Sequence, residues 1–329
     1  MDIITPARIA PGAHFRVIAP SRNGSILSED IIKRATENLE SKGFRVSFGR
    51  HWKENDTVLG TTTIQNRLAD LHEAFLDPKV DGILTAIGGY NANQLLEGIN
   101  YDVIRRHPKV FCGFSDITVL SNALFAGAGL ITYLGPHFSS WAMRDGFEYT
   151  KEYFLKAVQT SEPYDIKPSE TWSNDEWFIN QDNRTFVAND DAEIVINKGS
   201  ATGIILGGNI SSFCRLMGTK FKPSLQDSVL LLEQGDETNL QIFDADLETL
   251  IQQNDFSGVK AIIIGRFPDP TSVTTDMLLQ TITSKEALRD IPIVANINLG
   301  HTTPVATFAI GGKCDIHMST SVEIRMISH

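Results

Sequence analysis

"KVFCGFSDITVLSNALF", residues 109–125, runs apolar, breaks at Gly-Phe-Ser-Asp, and runs apolar again. A short apolar run, a glycine and a longer apolar run predict a buried strand that turns sharply into a core-packed helix. Ser115 sits at that hinge. Two readings of it are open: a helix N-cap, or a nucleophile held up at the end of a strand.

The flanking sequence repeats the same unit. "HFRVIAP" (14–20) is a short apolar run closed by proline. Ser28 is placed to cap a helix whose apolar positions Ile31, Ile32, Ala35 and Leu39 recur at helical spacing, with Gly43 as its stop. "FRVSFG" (44–49) alternates as a strand, and Ile64, Leu68, Leu71 and Phe75 mark a helix closed by Asp77-Pro78. "VDGILTAIGG" (80–89) reads as a strand, "NANQLLEGI" (91–99) as a helix and "KVFCGF" (109–114) as a strand. Strands alternating with helices at this pitch predict a parallel sheet covered on both faces.

Residues 160–190 break the pattern: they are polar, hold two prolines and show no period, which reads as a linker, a functional loop, or both. Beyond them the chain is richer in strands: "AEIVINKGSATGIILGGN", "SVLLLEQ", "VKAIIIGRF" and "IPIVANINLG", with helices expected near 209–217, 243–253 and 274–287. The expected organisation is an N-terminal α/β domain over 1–165, a linker and substrate loop over 166–190, and a C-terminal domain over 191–329. A chain of 329 residues is long enough for two such units.

Bulk properties narrow the partners. A net charge of −11 argues against general affinity for nucleic acid or anionic membrane, and says little about a small substrate, because a local site can differ in sign from the whole. Three cysteines, Cys112, Cys214 and Cys314, are too sparse for a disulfide framework or a metal site and read as buried free thiols. No phosphate-binding loop or dinucleotide fingerprint occurs, so no nucleotide or dinucleotide cofactor is expected. The N-terminus lacks a basic start and a long apolar stretch, so a cytoplasmic protein is expected. The uncharged stretch 117–136 reads as helix, turn and strand rather than a membrane span.

Open parallel sheets deliver functional groups at the carboxyl ends of their strands. Those ends present Ser21, Gly88-Gly89, Ser115, Glu233 and His301. Ser115 follows a strand and a glycine and opens a helix, although GFSD lacks the second glycine of a G-x-S-x-G elbow. As a nucleophile it would place the Asp116 N–H where an oxyanion is bound. His301, in "NINLGHTTP", is a candidate base, and Glu233 a candidate carboxylate for it, with Asp236 and Glu237 as rivals. Gly88 and Gly89 make a tight turn or bring a second backbone donor to a substrate. "LGGN" (206–209), ending in Asn209, is a weaker signal of the same kind. In "TWSNDEW", Trp172 and Trp177 either pack the loop down or present an aromatic face to a flat ligand.

Taken in order, "VIAPSR", "AIGGYN", "GFSDIT", "LGGN", "LLLE" and "GHTTP" resemble the LD-carboxypeptidase family of serine peptidases, and more closely its microcin C immunity branch. The resemblance spans nearly the whole chain. It implies an N-terminal flavodoxin-like parallel-sheet domain, a C-terminal β-rich α/β domain and a Ser-Glu-His triad of Ser115, Glu233 and His301 at their junction. It also implies oxyanion donors from the N–H groups of Asp116 and the Gly88-Gly89 turn, a homodimer, and no metal. Murein enzymes of the family look like R-G-G-Y-G at the glycine turn, where this chain reads Ile87-Gly88-Gly89-Tyr90-Asn91. The W-S-x-x-x-W of Trp172 to Trp177 is similar to the immunity branch, in which a loop tryptophan stacks on a nucleobase, and Asn209 is carried as a substrate contact. The resemblance therefore implies hydrolysis of a peptidyl- or aminoacyl-nucleotide. The alternatives are trimming of a murein tetrapeptide, and a non-catalytic binder of small molecules on the same scaffold.

Overall fold

Five short strands, β1 (His14–Ile18), β2 (Arg45–Phe48), β3 (Gly82–Thr85), β4 (Val110–Gly113) and β5 (Thr132–Leu134), form a parallel sheet in the order β2-β1-β3-β4-β5. This is the flavodoxin-like order, in which the chain reverses direction across the sheet beside β1 and opens a crevice there. β3, β4 and β5 are buried throughout, which explains their unbroken apolar sequence. The computed structural model describes residues 2–190 and 193–329.

Local signals set the helices that cross between these strands. The Ser28 hydroxyl accepts from the Ile31 N–H at 3.3 Å and starts α1 (Glu29–Ser41); Gly43, at φ +80°, follows its end. Thr63 caps α2 (Ile64–Leu76) in the same way. The helix expected over 91–99 is instead a 3-10 stretch, Ala92–Gly98, followed by a separate α3 (Tyr101–Arg106). Its first N–H, from Ala92, is held by the Asp116 carboxylate, and a side chain at Gly98 would strike Leu68. α4 (Thr118–Ala128) follows β4 and ends at Gly129, which adopts φ +73°. The uncharged stretch 117–136 is thus a buried helix, a turn and β5. Among the described residues no helix is long and apolar enough to cross a membrane.

After α5 (Glu148–Gln159) come β6 (Tyr164–Ile166), β7 (Thr171–Trp172), β8 (Val187–Ala188), β9 (Ile194–Asn197) and β10 (Gly199–Asn209). Then follow α6 (Ile210–Cys214), β11 (Ser228–Glu233), α7 (Leu240–Ile251), β12 (Val259–Gly265), α8 (Thr275–Thr283), β13 (Ile293–Ile297), β14 (Phe308–Ile310), β15 (Lys313–Met318) and β16 (Val322–Ser328). The second sheet runs β6-β16-β15-β10-β11-β12-β13-β9. β10 to β13 are parallel, and the strands outside them are antiparallel. The helix expected near 209–217 is only five residues long.

Two strands cross the chain-order partition. β14, from the C-terminal part, pairs antiparallel with β5 at the edge of the first sheet, and β6 pairs with β16 in the second. The two halves are therefore stitched together by backbone hydrogen bonds. The start of the C-terminal domain expected at 191 falls on Asp191 and Ala192, outside the described residues. All three cysteines are free; Cys112 and Cys314 are buried and Cys214 half-buried.

Phe308 is fully buried in the crossing strand β14. Phe308→Ala is expected to lower the unfolding free energy by about 3–5 kcal/mol, from lost burial plus the cavity left behind. Urea denaturation followed by tryptophan fluorescence measures this, and a loss below about 1 kcal/mol would contradict the placement of β14.

Candidate active site

Ser115 occupies a strained turn. Gly113 ends β4 where a side chain would lie 2.1 Å from the Thr85 hydroxyl, Phe114 is extended, and Ser115 takes φ +59°. A non-glycine residue in the left-handed region costs about 1–3 kcal/mol and persists only where its surroundings enforce it. A 3-10 turn, Ser115–Ile117, then leads into α4, and neither helix start carries a side-chain cap from Ser115. Its Oγ lies instead 3.1 Å from Nε2 of His301. The capping reading finds no hydrogen bond to support it.

Glu233 is the last residue of β11, is 1% exposed, and its Oε2 lies 2.7 Å from His301 Nδ1. A carboxylate so buried is costly unless paired, and His301 is the pair. Two glycines make room for it: a side chain at Gly300 would come within 2.6 Å of Oε2, and one at Gly265 within 3.0 Å of the Glu233 Cβ. Because the carboxylate accepts the Nδ1 proton, the neutral ring presents an Nε2 lone pair to the Ser115 hydroxyl. Of the rival acids, Asp236 acts on His301 only through its charge, and Glu237 accepts a hydrogen bond from the Tyr90 hydroxyl.

Burial disfavours the charged His301 ring, but the charge and hydrogen bond of Glu233, with the charges of Asp236 and Glu237, outweigh it. The His301 pKa is raised above 6.5. Burial also raises the Asp236 carboxyl above its usual range, with Glu176, Glu233 and Glu237 adding to the effect.

A second histidine sits behind the first. Phe114 packs against His137 at 4.3 Å between ring centroids, with the rings tilted by 30°, and meets His301 edge-on at 5.3 Å. The Thr85 hydroxyl donates to the Cys112 carbonyl, so its oxygen accepts from His137 Nδ1 at 2.8 Å. Burial, and secondarily the proximity of His301, depress the His137 pKa to about 3, so the ring stays neutral.

The glycine turn closes the other side. A side chain at Gly88 would lie 2.9 Å from the Ser115 Cβ and 3.0 Å from its Oγ; one at Gly89 would lie 2.3 Å from the Ser21 hydroxyl. Only glycine permits backbone this close to the serine.

The two halves of the chain match two family models, LD-carboxypeptidase N-terminal domain over residues 15–135 and LD-carboxypeptidase C-terminal domain over 202–316. The chain belongs to the LD-carboxypeptidase family of serine peptidases. A Bacillus subtilis relative, YocD, named provisionally as a carboxypeptidase, is 44% identical over 94% of this chain and 95% of its own. A second Bacillus subtilis relative, named a probable murein peptide carboxypeptidase, is 27% identical over 87% of this chain and 84% of its own. The crystal structure of an MccF-like protein from Bacillus anthracis superposes with a TM-score of 0.97 at 44% identity, covering 99% of this chain and 100% of that one.

The remaining sequence candidates lie around this line of three residues. Asn209 ends β10 in register with Glu233, but its side-chain oxygen caps α6 by accepting from the Ser212 N–H at 3.1 Å. Trp172 lies in β7 under the Arg266 guanidinium at 4.5 Å, and Trp177 meets Phe178 edge-on. Their loop is anchored at the site, because Ser173 and Thr303 exchange backbone hydrogen bonds two residues beyond His301. Sequence reasoning missed His137, the Asp116 carboxylate and Arg215. The signal available for Asp116 was a charged residue at the head of an apolar helix.

The raised pKa fixes the sign of a pH dependence. On the reading of His301 as general base, which accepts a proton only when neutral, kcat/KM for an activated ester is expected to rise with pH through a midpoint above 6.5. Asp236→Asn removes a negative charge that favours the imidazolium and shifts the midpoint to lower pH. An unchanged midpoint in that variant would contradict the electrostatic account.

Proposed function

We propose that Ser115, His301 and Glu233 form a catalytic triad that hydrolyses the amide linking an acyl group to a nucleotide, and so inactivates peptidyl- or aminoacyl-nucleotides of the microcin C kind. The observation that carries the catalytic part is the unbroken line from Glu233 Oε2 through the His301 ring to Ser115 Oγ, at 2.7 and 3.1 Å. Ser115 attacks the carbonyl carbon as His301 takes its proton, and Glu233 holds the ring and steadies its positive charge. The tetrahedral oxyanion is received by the N–H of Asp116 and an N–H of the Gly88-Gly89 turn, each worth roughly 3–4 kcal/mol in the transition state. His301 then protonates the leaving nitrogen. A water activated by the same ring cleaves the acyl-enzyme.

The nucleotide assignment is supported by the Trp172 to Trp177 loop, which is tied beside His301 through Ser173 and Thr303. One of these indoles offers a stacking face for a base, and Asn209 lies at a strand end beside Glu233. The likeness to the MccF-like Bacillus anthracis structure points the same way. A second reading, removal of the terminal D-alanine from a murein tetrapeptide, is favoured by the exposed Tyr90 directly after the glycine turn and by the murein-named relative.

A substrate panel separates them. The purified enzyme is expected to release the amino acid from an aminoacyl sulfamoyl adenosine at least ~10-fold faster than it releases D-alanine from an L,D-linked tetrapeptide, and Ser115→Ala to abolish both. Cleavage of the tetrapeptide alone would replace the nucleotide reading with the murein one. Undiminished biological activity of Ser115→Ala would leave a binding role only.

A further inference from the structure

The residue after the proposed nucleophile carries a second buried charge with no part in proton transfer. Asp116 is 1% exposed. Its Oδ2 accepts from the Ser21 hydroxyl at 2.6 Å and from the Ala92 N–H at 2.8 Å, and its Oδ1 lies 2.6 Å from Nη1 of Arg215. The same Arg215 nitrogen lies 3.1 Å from the Tyr90 carbonyl. Arg22 N–H donates to the Gly88 carbonyl at 3.2 Å, which joins the 20–22 turn to the glycine turn. From behind, the buried Arg67 donates to the carbonyls of Pro20 and Asn91 and to the Gln94 side chain. Every contact of the Asp116 carboxylate therefore ends on Arg215 or on the backbone segments that set where Gly88 and Gly89 stand.

Arg215 comes from the other half of the molecule. It follows α6, which leaves β10, the strand paired with β11 and thus with Glu233. We infer that Asp116 and Arg215 are positioning residues: their ion pair holds the Gly88-Gly89 turn, through Tyr90 and Ala92, in register with the Ser115 hydroxyl across the junction of the two sheets. The inference rests on the reading of Ser115 as nucleophile and of the glycine turn as oxyanion donor. A displacement of an ångström in such a donor is enough to lose most of its stabilisation. The pair is not what docks the halves, since Asn122 and Thr118 of α4 bond β10 directly and β14 crosses between sheets. Loss of Arg215 therefore loosens the turn and leaves the fold.

The test is the rate at which a fluorophosphonate phosphonylates the enzyme, which reads the serine and its oxyanion donors whatever the natural substrate is. Arg215→Met is expected to label ~10- to 100-fold more slowly than wild type at saturating reagent, with the half-saturating concentration changed less than ~3-fold and the melting temperature within a few degrees. Arg215→Lys, which keeps the charge and a donor on a shorter side chain, regains part of the rate. Asp116→Asn combined with Arg215→Met is no slower than the worse single variant, because the two act as one unit. Labelling of Arg215→Met at the wild-type rate overturns the inference, as does a rate loss seen only in variants whose melting temperature collapses. Failure of wild type to label at Ser115 overturns the nucleophile reading itself, and that result is distinct from either.

Discussion

The arrangement depends on how α4 is docked. The Asn122 side chain donates to the carbonyl of Gly207 and accepts from its N–H, both at 2.9 Å, and the Thr118 hydroxyl accepts from the Asn209 N–H at 3.0 Å. Asn122 and Thr118 are fully buried, so these bonds form where water cannot compete. A side chain at Gly208 would strike Thr118, so only glycine permits the approach. The helix that carries Ser115 at its head is thereby registered against the strand beside Glu233. Ser115 and His301, 186 residues apart in the chain, meet because these two surfaces do.

Two buried carboxylates then divide the work. Glu233 is paired with a titratable imidazole, and Asp116 with a guanidinium that stays charged. In the proposed mechanism the first pair moves the proton and the second holds the glycine turn. His137, held neutral by burial, fills the space behind the Phe114 ring without adding a charge beside His301.

Much of this was legible in the sequence for a physical reason. Strands buried on both faces read as unbroken apolar runs, and a helix cap such as Ser28 is a local signal, so the alternation that defines the first sheet could be followed residue by residue. Ser115, Glu233 and His301 could be picked out because each is polar at the carboxyl end of an apolar strand. What was not legible is what depends on contacts distant in the chain. The three residues of β14 carry no mark that they leave their own sheet for β5. The 91–99 segment has helical spacing but winds as a 3-10 stretch, Ala92–Gly98, whose first N–H is held by the distant Asp116 carboxylate. Asp116 was valued for its amide while its carboxylate, whose partners lie 24, 95 and 99 residues away, went unread.

The measurement that tests the central claim most directly is a crystal structure of the wild-type enzyme after reaction with a phosphonate inhibitor. The account predicts phosphorus bonded to Ser115 Oγ, its oxygen facing the N–H groups of Asp116 and the Gly88-Gly89 turn, and His301 Nε2 within hydrogen-bond distance with Glu233 still on Nδ1. Phosphorus on any other residue, or a Ser115 hydroxyl turned back onto its own helix and unreacted, would contradict it.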